Sequence, residues 1–336
     1  MQPHIVVHGA GSVGCYLGGC LAAAGAFVTL LGRPRLQAEV SKHGMLLTDL
    51  HGNERRVPVG SIDFVTDPAV LASADLILIT VKSLATEQAA AELRAHALQS
   101  ALLISFQNGV SNAAVLRQRL PPRTVLAGMV PFNVLHRAAG HWHRGTEGEP
   151  LVARHPALQP YLNRFADAGL PLHERDDMQG VLWGKLLLNL NNAINALAGL
   201  PLREQLAQRT YRRCLALCME EALTIMNAAQ ITALQLARIA PSRMPTLLSL
   251  PDWLFSRLAG RMLMIDPLAR SSMWEDLQRG RATEIDYLNG EIVRLAAAYG
   301  RAAPVNAQVT TLVKAAEQGG RSDWSGPELL MQLRRA

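Results

Sequence analysis

The stretch that decides the fold is Ile5–Leu31, which reads IVVHGAGSVGCYLGGCLAAAGAFVTLL. Residues 5–7 are a β-branched run typical of a buried parallel strand, and residues 27–31 are a second apolar strand. Residues 15–25 between them predict a helix that is rich in Leu and Ala and ends at a glycine. Three glycines at G-x-G-x-x-G spacing follow the first strand. This strand-turn-helix-strand unit of about 30 residues is typical of a dinucleotide-binding sheet.

Each glycine of this motif has a separate physical role. The first allows a tight turn, the second lets the backbone approach a pyrophosphate, and the third lets the helix pack closely on the strand. The free N–H groups and the positive dipole end of the helix then face the phosphates. The predicted cofactor-binding residues of this loop are Gly9, Gly11, Ser12, Val13 and Gly14. The alternative is a glycine-rich turn in an ordinary α/β protein.

The end of the second strand indicates which dinucleotide binds. NAD-binding chains usually carry Asp or Glu about 20 residues past the motif, for the ribose 2′-hydroxyl. Here residues 30–35 read LLGRPR, with two arginines and no acid. A guanidinium suits a 2′-phosphate by its charge and its fork geometry. We therefore predict NADP, that is NADPH, with Arg33 as the main contact; the alternative is that Arg33 and Arg35 are ordinary surface charges.

Alternation of strands and helices extends this unit into a domain. Residues 75–81, 101–106 and 124–130 are further strand candidates, and residues 85–97 predict a helix between the first two. This order predicts an α/β fold with a Rossmann-type, doubly wound parallel sheet. Ligands bind such sheets at the carboxyl ends of the strands. Lys82 and Asn108 follow two of these strands, so both are candidate cofactor-binding residues.

After about residue 175 the pattern becomes helical throughout. Helices are predicted over residues 178–200, 203–230, 283–299 and 305–318, and residues 241–267, with four prolines, resemble a broken helical insertion or lid. The expected division is a Rossmann domain over residues 1–176 and an all-helical substrate and catalytic domain over residues 177–336.

Composition narrows the classes of protein that fit. The chain has 336 residues, a net charge of +6, 49% hydrophobic and 18% charged residues, which excludes disorder as the main state. The basic residues are dispersed, so no nucleic-acid partner is predicted. Residues 5–32 lack charge, but glycines interrupt them, and no membrane partner is predicted. Four cysteines make no disulfide scaffold, and the expected location is cytoplasmic.

The helix predicted over residues 178–200 carries an unusual polar stripe. At 100° per residue, Asn189 lies 40° from Lys185 and Asn192 within 20° of it, whereas Asn195 lies about 80° away. Asparagine is a poor residue for a helix interior, and such local violations tend to mark function. We predict that Lys185, Asn189 and Asn192 face a site. The alternative is a solvated polar face.

Other chemistry-bearing residues have ordinary structural explanations. Thr283 and Asp286 have the spacing of a capping box, and Glu284 would lie in the first turn of a helix. On these local grounds alone, a catalytic and a structural role for Glu284 both stay open. The pairs Cys15/Cys20 and Cys214/Cys218 are predicted to pack in the core. His141 and His143 share one face of a strand without a third ligand, so no metal is predicted.

Taken together, these motifs resemble the ketopantoate reductases (2-dehydropantoate 2-reductases) nearly from end to end. The resemblance rests on the glycine motif, on Lys82, on Asn108-Gly109, on Lys185-x-x-x-Asn189, on Ser271-Ser272-Met273 and on residues 283–290, TEIDYLNG. It implies a Rossmann domain and a helical domain with the active site in the cleft between them. It also implies NADPH-dependent reduction of the 2-oxo acid 2-dehydropantoate to pantoate, in pantothenate and coenzyme A biosynthesis.

The resemblance also assigns roles to residues. Lys185 would be the general acid that protonates the developing alkoxide, and Glu284 would orient and tune it. Asn108 would contact cofactor and substrate, and Ser272 would bind the substrate carboxylate, beside Asn189 and Asn192. This agrees with the chemistry, because hydride transfer to a carbonyl builds negative charge on its oxygen.

Two departures leave the substrate open. Asn191-Asn192-Ala193 stands where many members have a single Asn before Pro or Ala, and Ala269 stands where a substrate-binding Asn is expected. Alternative readings are a reductase of another 2-oxo acid and a non-enzymatic NADP(H)-sensing protein. A sensor has no need of Lys185 together with Glu284, so an enzyme is favoured. The sequence leaves the oligomeric state open, and a homodimer is one assembly it allows.

Overall fold

A computed structural model describes residues 2–236, 239–258 and 269–336. The chain divides into two compact units, Met1–Met178 and Gln179–Ala336. This division falls two residues after the expected one. Among the described residues, no helix is long and apolar enough to cross a membrane.

The first unit is built on an eight-stranded sheet with the order β12-β11-β8-β7-β6-β1-β2-β5. Its strands are β1 (His4–His8), β2 (Phe27–Leu31), β5 (Asp63–Val65), β6 (Leu76–Ile79), β7 (Leu102–Ser105), β8 (Val125–Met129), β11 (Leu151–Ala153) and β12 (His173–Arg175). Along the sheet, the neighbouring strands in the run β5-β2-β1-β6-β7-β8 all pair in parallel, whereas β11 is antiparallel to β8. The sheet is therefore parallel except at one edge.

Helices cover both faces of this sheet. They are α1 (Ser12–Ala23), α2 (Pro34–His43), α3 (Thr86–His96), α4 (Asn112–Arg119) and α5 (Gln159–Asp167). Alternate residues of β1 enter opposite cores: Ile5 and Val7 pack with residues of α1 and α5, and Val6 packs with residues of α3 and α4. A strand buried on both faces has to be apolar at every position, which explains the continuous run at residues 5–7.

A second, four-stranded sheet was not predicted from the sequence. Its order is β4-β3-β10-β9, with β3 (Met45–Asp49), β4 (Glu54–Val57), β9 (Val134–Ala138) and β10 (His141–Arg144). Its two halves are far apart in the chain and meet where β3 pairs in parallel with β10. Trp142 is fully buried beneath it, against the α1 face of the larger sheet.

The regular structure of the second unit is helical, with no strand among its described residues. Its helices are α6 (Met178–Asn189), α7 (Asn191–Ala198), α8 (Leu202–Ala207), α9 (Arg209–Ala228), α10 (Met244–Leu248), α11 (Asp252–Leu258), α12 (Ser272–Gln278), α13 (Asn289–Ala298), α14 (Pro304–Glu317) and α15 (Gly326–Arg334). The predicted fold class, a Rossmann-type sheet followed by a helical domain, is confirmed.

Three predicted helices are each interrupted. The helix expected over residues 178–200 breaks at Leu190, the one over 203–230 breaks at Gln208, and the one over 283–299 begins as a 3₁₀ turn at Ile285–Tyr287. Residues 241–258 of the expected insertion form a 3₁₀ turn followed by α10 and α11, and residues 259–267 of it lie outside the described part.

A buried arginine holds part of that segment. Arg212 of α9 is fully buried and donates hydrogen bonds to the carbonyls of Leu206, Ala207, Leu248 and Leu250. It also pairs with Asp252 at 2.9 Å and stacks over the ring of Phe255. These partners satisfy a charge that would otherwise be costly to bury, and they fix α10 and the start of α11 against α9.

Candidate active site

The glycine loop forms a tight cradle at the carboxyl end of β1. Gly9 has φ +104°, and a Cβ there would lie 2.5 Å from the backbone nitrogen of Val81. A Cβ at Gly14 would lie 2.6 Å from the Thr80 hydroxyl oxygen, whereas one at Gly11 would meet nothing closer than 3.9 Å. Gly9 and Gly14 are therefore required by the turn and by packing, and Gly11 leaves room for a ligand.

The start of α1 suits an anion. No side chain caps this helix and no acidic side chain lies in its first turn, where Ser12 and Val13 are half-buried. Its first N–H groups and its dipole thus face the open side of Gly11. These features of the loop fit the pyrophosphate of a dinucleotide.

Thr80 is a contributor that sequence reasoning missed. It directly follows β6, and its hydroxyl donates to the Gly9 carbonyl at 2.9 Å. Because the same hydroxyl packs against Gly14, it holds the first and third glycines of the motif together. The only sequence signal for it is its position at the end of an apolar strand.

Arg33 lies at the end of β2, as the N-cap residue of α2. Both Arg33 and Arg35 are exposed, and neither side chain has a hydrogen bond or ion pair with another residue of the described ranges. The Arg33 backbone is extended, with φ −81° and ψ 147°. A guanidinium so placed has no competing partner in the described chain and is available to a phosphate.

Lys82 and Asn108 lie at the same edge of the sheet. Lys82 is exposed and follows β6, and the half-buried Asn108 follows β7. Since β1, β2, β6 and β7 are parallel neighbours, the residues that follow them meet at one edge. The structure therefore brings the glycine loop, Arg33, Lys82 and Asn108 to the carboxyl edge of the first unit.

In the second unit, Lys185 is half-buried on α6. Burial lowers the pKa of its ammonium to about 8, and the negative charge of Glu284 opposes this by raising that pKa. Glu284 is 9% exposed and precedes the 3₁₀ turn at Ile285–Tyr287. The structure thus pairs a lysine whose pKa is lowered to about 8 with a buried carboxylate, an arrangement suited to proton transfer.

A close backbone contact supports the lysine. The Leu234 N–H donates to the Gly180 carbonyl at 2.8 Å, and a Cβ at Gly184 would clash with the Leu234 carbonyl oxygen. The residue before Lys185 is therefore glycine because another chain segment crosses α6 at that point.

The break at Leu190 corrects the prediction of one continuous helix. Asn189 is the last residue of α6 and Asn191 the first of α7, so an angle of 100° per residue cannot be counted from Lys185 to Asn192. Asn189 and Asn192 are both half-buried. Asn191 exchanges two hydrogen bonds with the buried side chain of Gln205, at 3.1 and 3.3 Å.

The contacts of Asn195 serve to hold neighbouring segments together. Its side chain is fully buried, donates to the Leu200 carbonyl at 2.9 Å and accepts from the Ser271 N–H at 2.9 Å. Ser271 caps α12 and donates from its hydroxyl to the Asn192 carbonyl at 3.1 Å. These bonds fix the start of α12 beside α7, and they leave the neighbouring Ser272 exposed in the first turn of α12.

The expected capping box at residues 283–286 is wrong. The Thr283 hydroxyl accepts from the Ile285 N–H at 3.2 Å, within a turn rather than at the start of an α-helix. The Asp286 carboxylate instead pairs with Lys314 of α14 at 2.7 Å. Glu284 therefore does not lie in the first turn of an α-helix, and the structural explanation of its position does not apply.

The cysteines and histidines behave as structural residues. All four cysteines are buried and free, as predicted, and burial raises the pKa of each thiol. His141 and His143 share a face of β10 and both lie 2.8 Å from the Thr48 hydroxyl. Within the described ranges, no three His, Cys, Asp or Glu side chains are grouped as a metal ion would need.

Known proteins resemble this chain over both units. Residues 5–156 match the family model described as "Ketopantoate reductase PanE/ApbA", and residues 177–317 match that of the C terminal of the same family. The 2-dehydropantoate 2-reductase of Halobacterium salinarum is 28% identical over 331 residues, which are 94% of this chain and 99% of that protein.

Solved structures of other proteins also resemble this chain. A PanE/ApbA family ketopantoate reductase from Ralstonia eutropha JMP134 superposes with a TM-score of 0.80 at 31% identity, covering 94% of this chain and 99% of that one. D-mandelate dehydrogenase, solved with NADH and anilino(oxo)acetate, superposes with a TM-score of 0.76 at 20% identity over 94% and 99% of the two chains. The second likeness concerns the fold alone.

Proposed function

Since the chain belongs to the ketopantoate reductase PanE/ApbA family and is an oxidoreductase of the 2-dehydropantoate 2-reductase type, we propose that it reduces 2-dehydropantoate to pantoate with NADPH. This would be a step of pantothenate and coenzyme A biosynthesis. The observation that carries the proposal is the environment of Lys185: burial lowers its pKa to about 8, and the charge of Glu284 acts on it in the opposite direction. Near neutral pH this lysine holds a proton that it can release.

The first unit would hold the cofactor. Gly9, Gly11, Ser12, Val13 and Gly14 would bind the pyrophosphate, and Arg33 would bind the 2′-phosphate. Lys82 and Asn108, at the same edge of the sheet, would complete the site. The support for NADPH is the absence of an acid after β2 together with an exposed, unpaired guanidinium there, since a carboxylate would repel the 2′-phosphate.

Bound NADPH would supply a hydride to the substrate carbonyl carbon. The Lys185 ammonium would donate its proton to the carbonyl oxygen as negative charge develops there, leaving a neutral amine that regains a proton from solvent. Glu284 would hold the ammonium form and orient it. Asn108, Asn189, Asn192 and Ser272 would provide hydrogen bonds to the 2-oxo acid.

Substrate choice depends on individual side chains of the site, because a fold alone does not select a substrate. Ala269 is half-buried, its carbonyl is engaged by the Leu202 N–H at 2.8 Å, and its methyl side chain offers no polar contact. A site that hydrogen-bonds a substrate group discriminates better than an apolar one. We expect reduction of 2-dehydropantoate with looser selectivity against other branched 2-oxo acids.

The experiment is NADPH oxidation measured against a panel of 2-oxo acids, with the wild type and Ala269→Asn. We expect the highest kcat/KM for 2-dehydropantoate, and a larger preference for it in Ala269→Asn. Oxidation of NADPH by a different oxo acid but not by 2-dehydropantoate would favour a related reductase. Binding of NADPH without turnover of any oxo acid would favour a sensor.

Location and assembly belong to the same proposal. Four buried free thiols suit the reducing cytoplasm. A homodimer is one assembly that this proposal allows, and light scattering in solution would compare the particle mass with the 36.5 kDa of one chain.

A further inference from the structure

A cluster of buried polar side chains surrounds the backbone of Asn108. The members are Ser83, Thr86, Ser105, Gln107 and Asn112, each at most 6% exposed. They come from the segment after β6, the end of β7, and the starts of α3 and α4. Buried polar groups are costly unless each finds a partner, so this cluster has to be satisfied internally.

The hydrogen bonds of this cluster end on the backbone of Asn108. The Ser83 hydroxyl donates to the Asn108 carbonyl at 2.8 Å, and the Asn112 side-chain nitrogen donates to the same carbonyl. The Asn112 nitrogen also donates to the Ser83 hydroxyl oxygen at 3.1 Å. Two side chains from two elements thus hold one peptide group, and a peptide held in this way fixes where its own side chain begins.

Thr86 is the centre of the cluster. Its hydroxyl lies 2.8 Å from both the Asn112 side-chain oxygen and the Ser83 carbonyl, to either of which it can donate its proton. It accepts from Gln107 Nε2 at 2.8 Å. The Ser105 hydroxyl donates to Gln107 Oε1 at 3.0 Å and so sets the orientation of that amide. Removing the Thr86 hydroxyl would therefore leave partners on both sides unsatisfied.

We propose that Thr86, through Asn112 and Ser83, is a positioning residue that fixes Asn108 for the reaction. This inference rests on the proposed function, in which Asn108 contacts cofactor and substrate. Thr86 itself lies at the buried start of α3 and acts only through the other two side chains. A displacement of Asn108 by a fraction of an ångström would lower turnover without unfolding the sheet.

The variant that tests the proposal is Thr86→Val, which has nearly the same shape and lacks the hydroxyl. We expect a kcat/KM for the 2-oxo acid about tenfold lower, by analogy with other small misplacements at active sites. Thr86→Ser keeps the hydroxyl and should stay close to the wild type. Rescue by Thr86→Ser assigns the effect to the hydrogen bond rather than to volume.

The matched control is Thr29→Val. Thr29 is also a buried threonine of the first unit, in β2, and its hydroxyl is 2.8 Å from His4 Nε2, outside the cluster. Thr29→Val should lower the melting temperature and leave kcat/KM per folded molecule unchanged. The same kinetic result for Thr86→Val would show that the cluster is only structural and would overturn the inference. Should Thr86→Val fail to fold, Ser105→Ala, which removes one outer bond, carries the same expectation with a smaller loss.

Asn108→Ala and the double variant Thr86→Val/Asn108→Ala separate this inference from the proposed function. If Thr86 acts through Asn108, the double variant is no slower than Asn108→Ala alone. Additive losses would overturn the inference and leave the proposed role of Asn108 intact. Normal kinetics in Asn108→Ala would remove that role, and the inference with it.

Discussion

Lys185 makes the proposed reaction dependent on pH. Burial lowers its pKa from 10.5 to about 8, so the protonated form that donates to the substrate oxygen is lost as the pH rises through about 8. We expect kcat/KM, which follows the free enzyme, to be level below this pH and to fall about tenfold per unit above it. A pH profile of NADPH oxidation measures this, and a level profile up to pH 10 would contradict a lysine acid.

Lys185→Ala removes the proposed proton donor, so it should lower kcat for NADPH oxidation by about 10²–10⁴.

Glu284 should control where that fall occurs. Its negative charge raises the pKa of Lys185, so Glu284→Gln should lower that pKa and move the fall in kcat/KM to lower pH. Glu284→Asp keeps the charge and serves as the control that restores part of the shift. The measurement is the same pH profile, and an unmoved midpoint in Glu284→Gln would show that Glu284 acts on something other than the lysine.

Replacing Arg33 should weaken the binding of NADPH far more than the binding of NADH. A charge-assisted contact contributes about 1.5–3 kcal/mol, so Arg33→Ala should weaken NADPH binding about tenfold or more and leave NADH binding nearly unchanged. Fluorescence titration with each cofactor measures this. Arg35→Ala, two residues on and also exposed, is the control. Equal losses for both cofactors in Arg33→Ala would mean that it does not bind the 2′-phosphate.

The helices α6 and α7 show how one interruption sorts neighbouring asparagines into different roles. Asn191 is engaged by Gln205, and Asn195 by Leu200 and Ser271. Within the described residues, the Asn192 side chain has no hydrogen bond, and its carbonyl accepts from the Ser271 hydroxyl. The polar stripe read from the sequence therefore mixes side chains that hold the helices together with side chains that are available to a ligand.

This sorting predicts opposite phenotypes for two adjacent substitutions. Asn191→Ala leaves the buried Gln205 unsatisfied and should lower the free energy of unfolding by about 1–3 kcal/mol, with kinetics close to normal. Asn192→Ala should raise KM or lower kcat for the oxo acid and change stability little. Urea unfolding and steady-state kinetics on both variants measure this. The reverse ranking would place Asn191 in the site instead.

At the scale of the whole molecule, the features that could be predicted are those set by residues close together in the sequence. The strand-turn-helix-strand unit at residues 5–31 could be predicted because glycine spacing, strand composition and helix composition agree within one short stretch. The carboxyl-edge positions of Lys82 and Asn108 followed from strand order alone. In the second unit, the helical character was readable, because apolar residues recur at helical spacing there.

What could not be predicted depends on contacts between distant segments. The small sheet requires β3 to pair with β10 about a hundred residues later, and its strands carry polar residues such as Thr48 and His143. The break at Leu190 accompanies bonds to Gln205 and Ser271, which lie outside the helix. The cluster around Thr86 escaped notice because Ser, Thr and Gln are ordinary at the ends of strands and helices.

The exposed position of Arg33 has a consequence for evolution and engineering. Its backbone is an ordinary extended N-cap, and no described residue depends on its side chain, so replacing it costs the fold almost nothing. Gly9 and Gly14, by contrast, are held in place by Val81 and Thr80. If Arg33 binds the 2′-phosphate as proposed, cofactor preference is separable from foldability. Variants confined to residues 33–35, in evolution or in a directed-evolution library, would then exchange one dinucleotide for another without passing through an unstable intermediate.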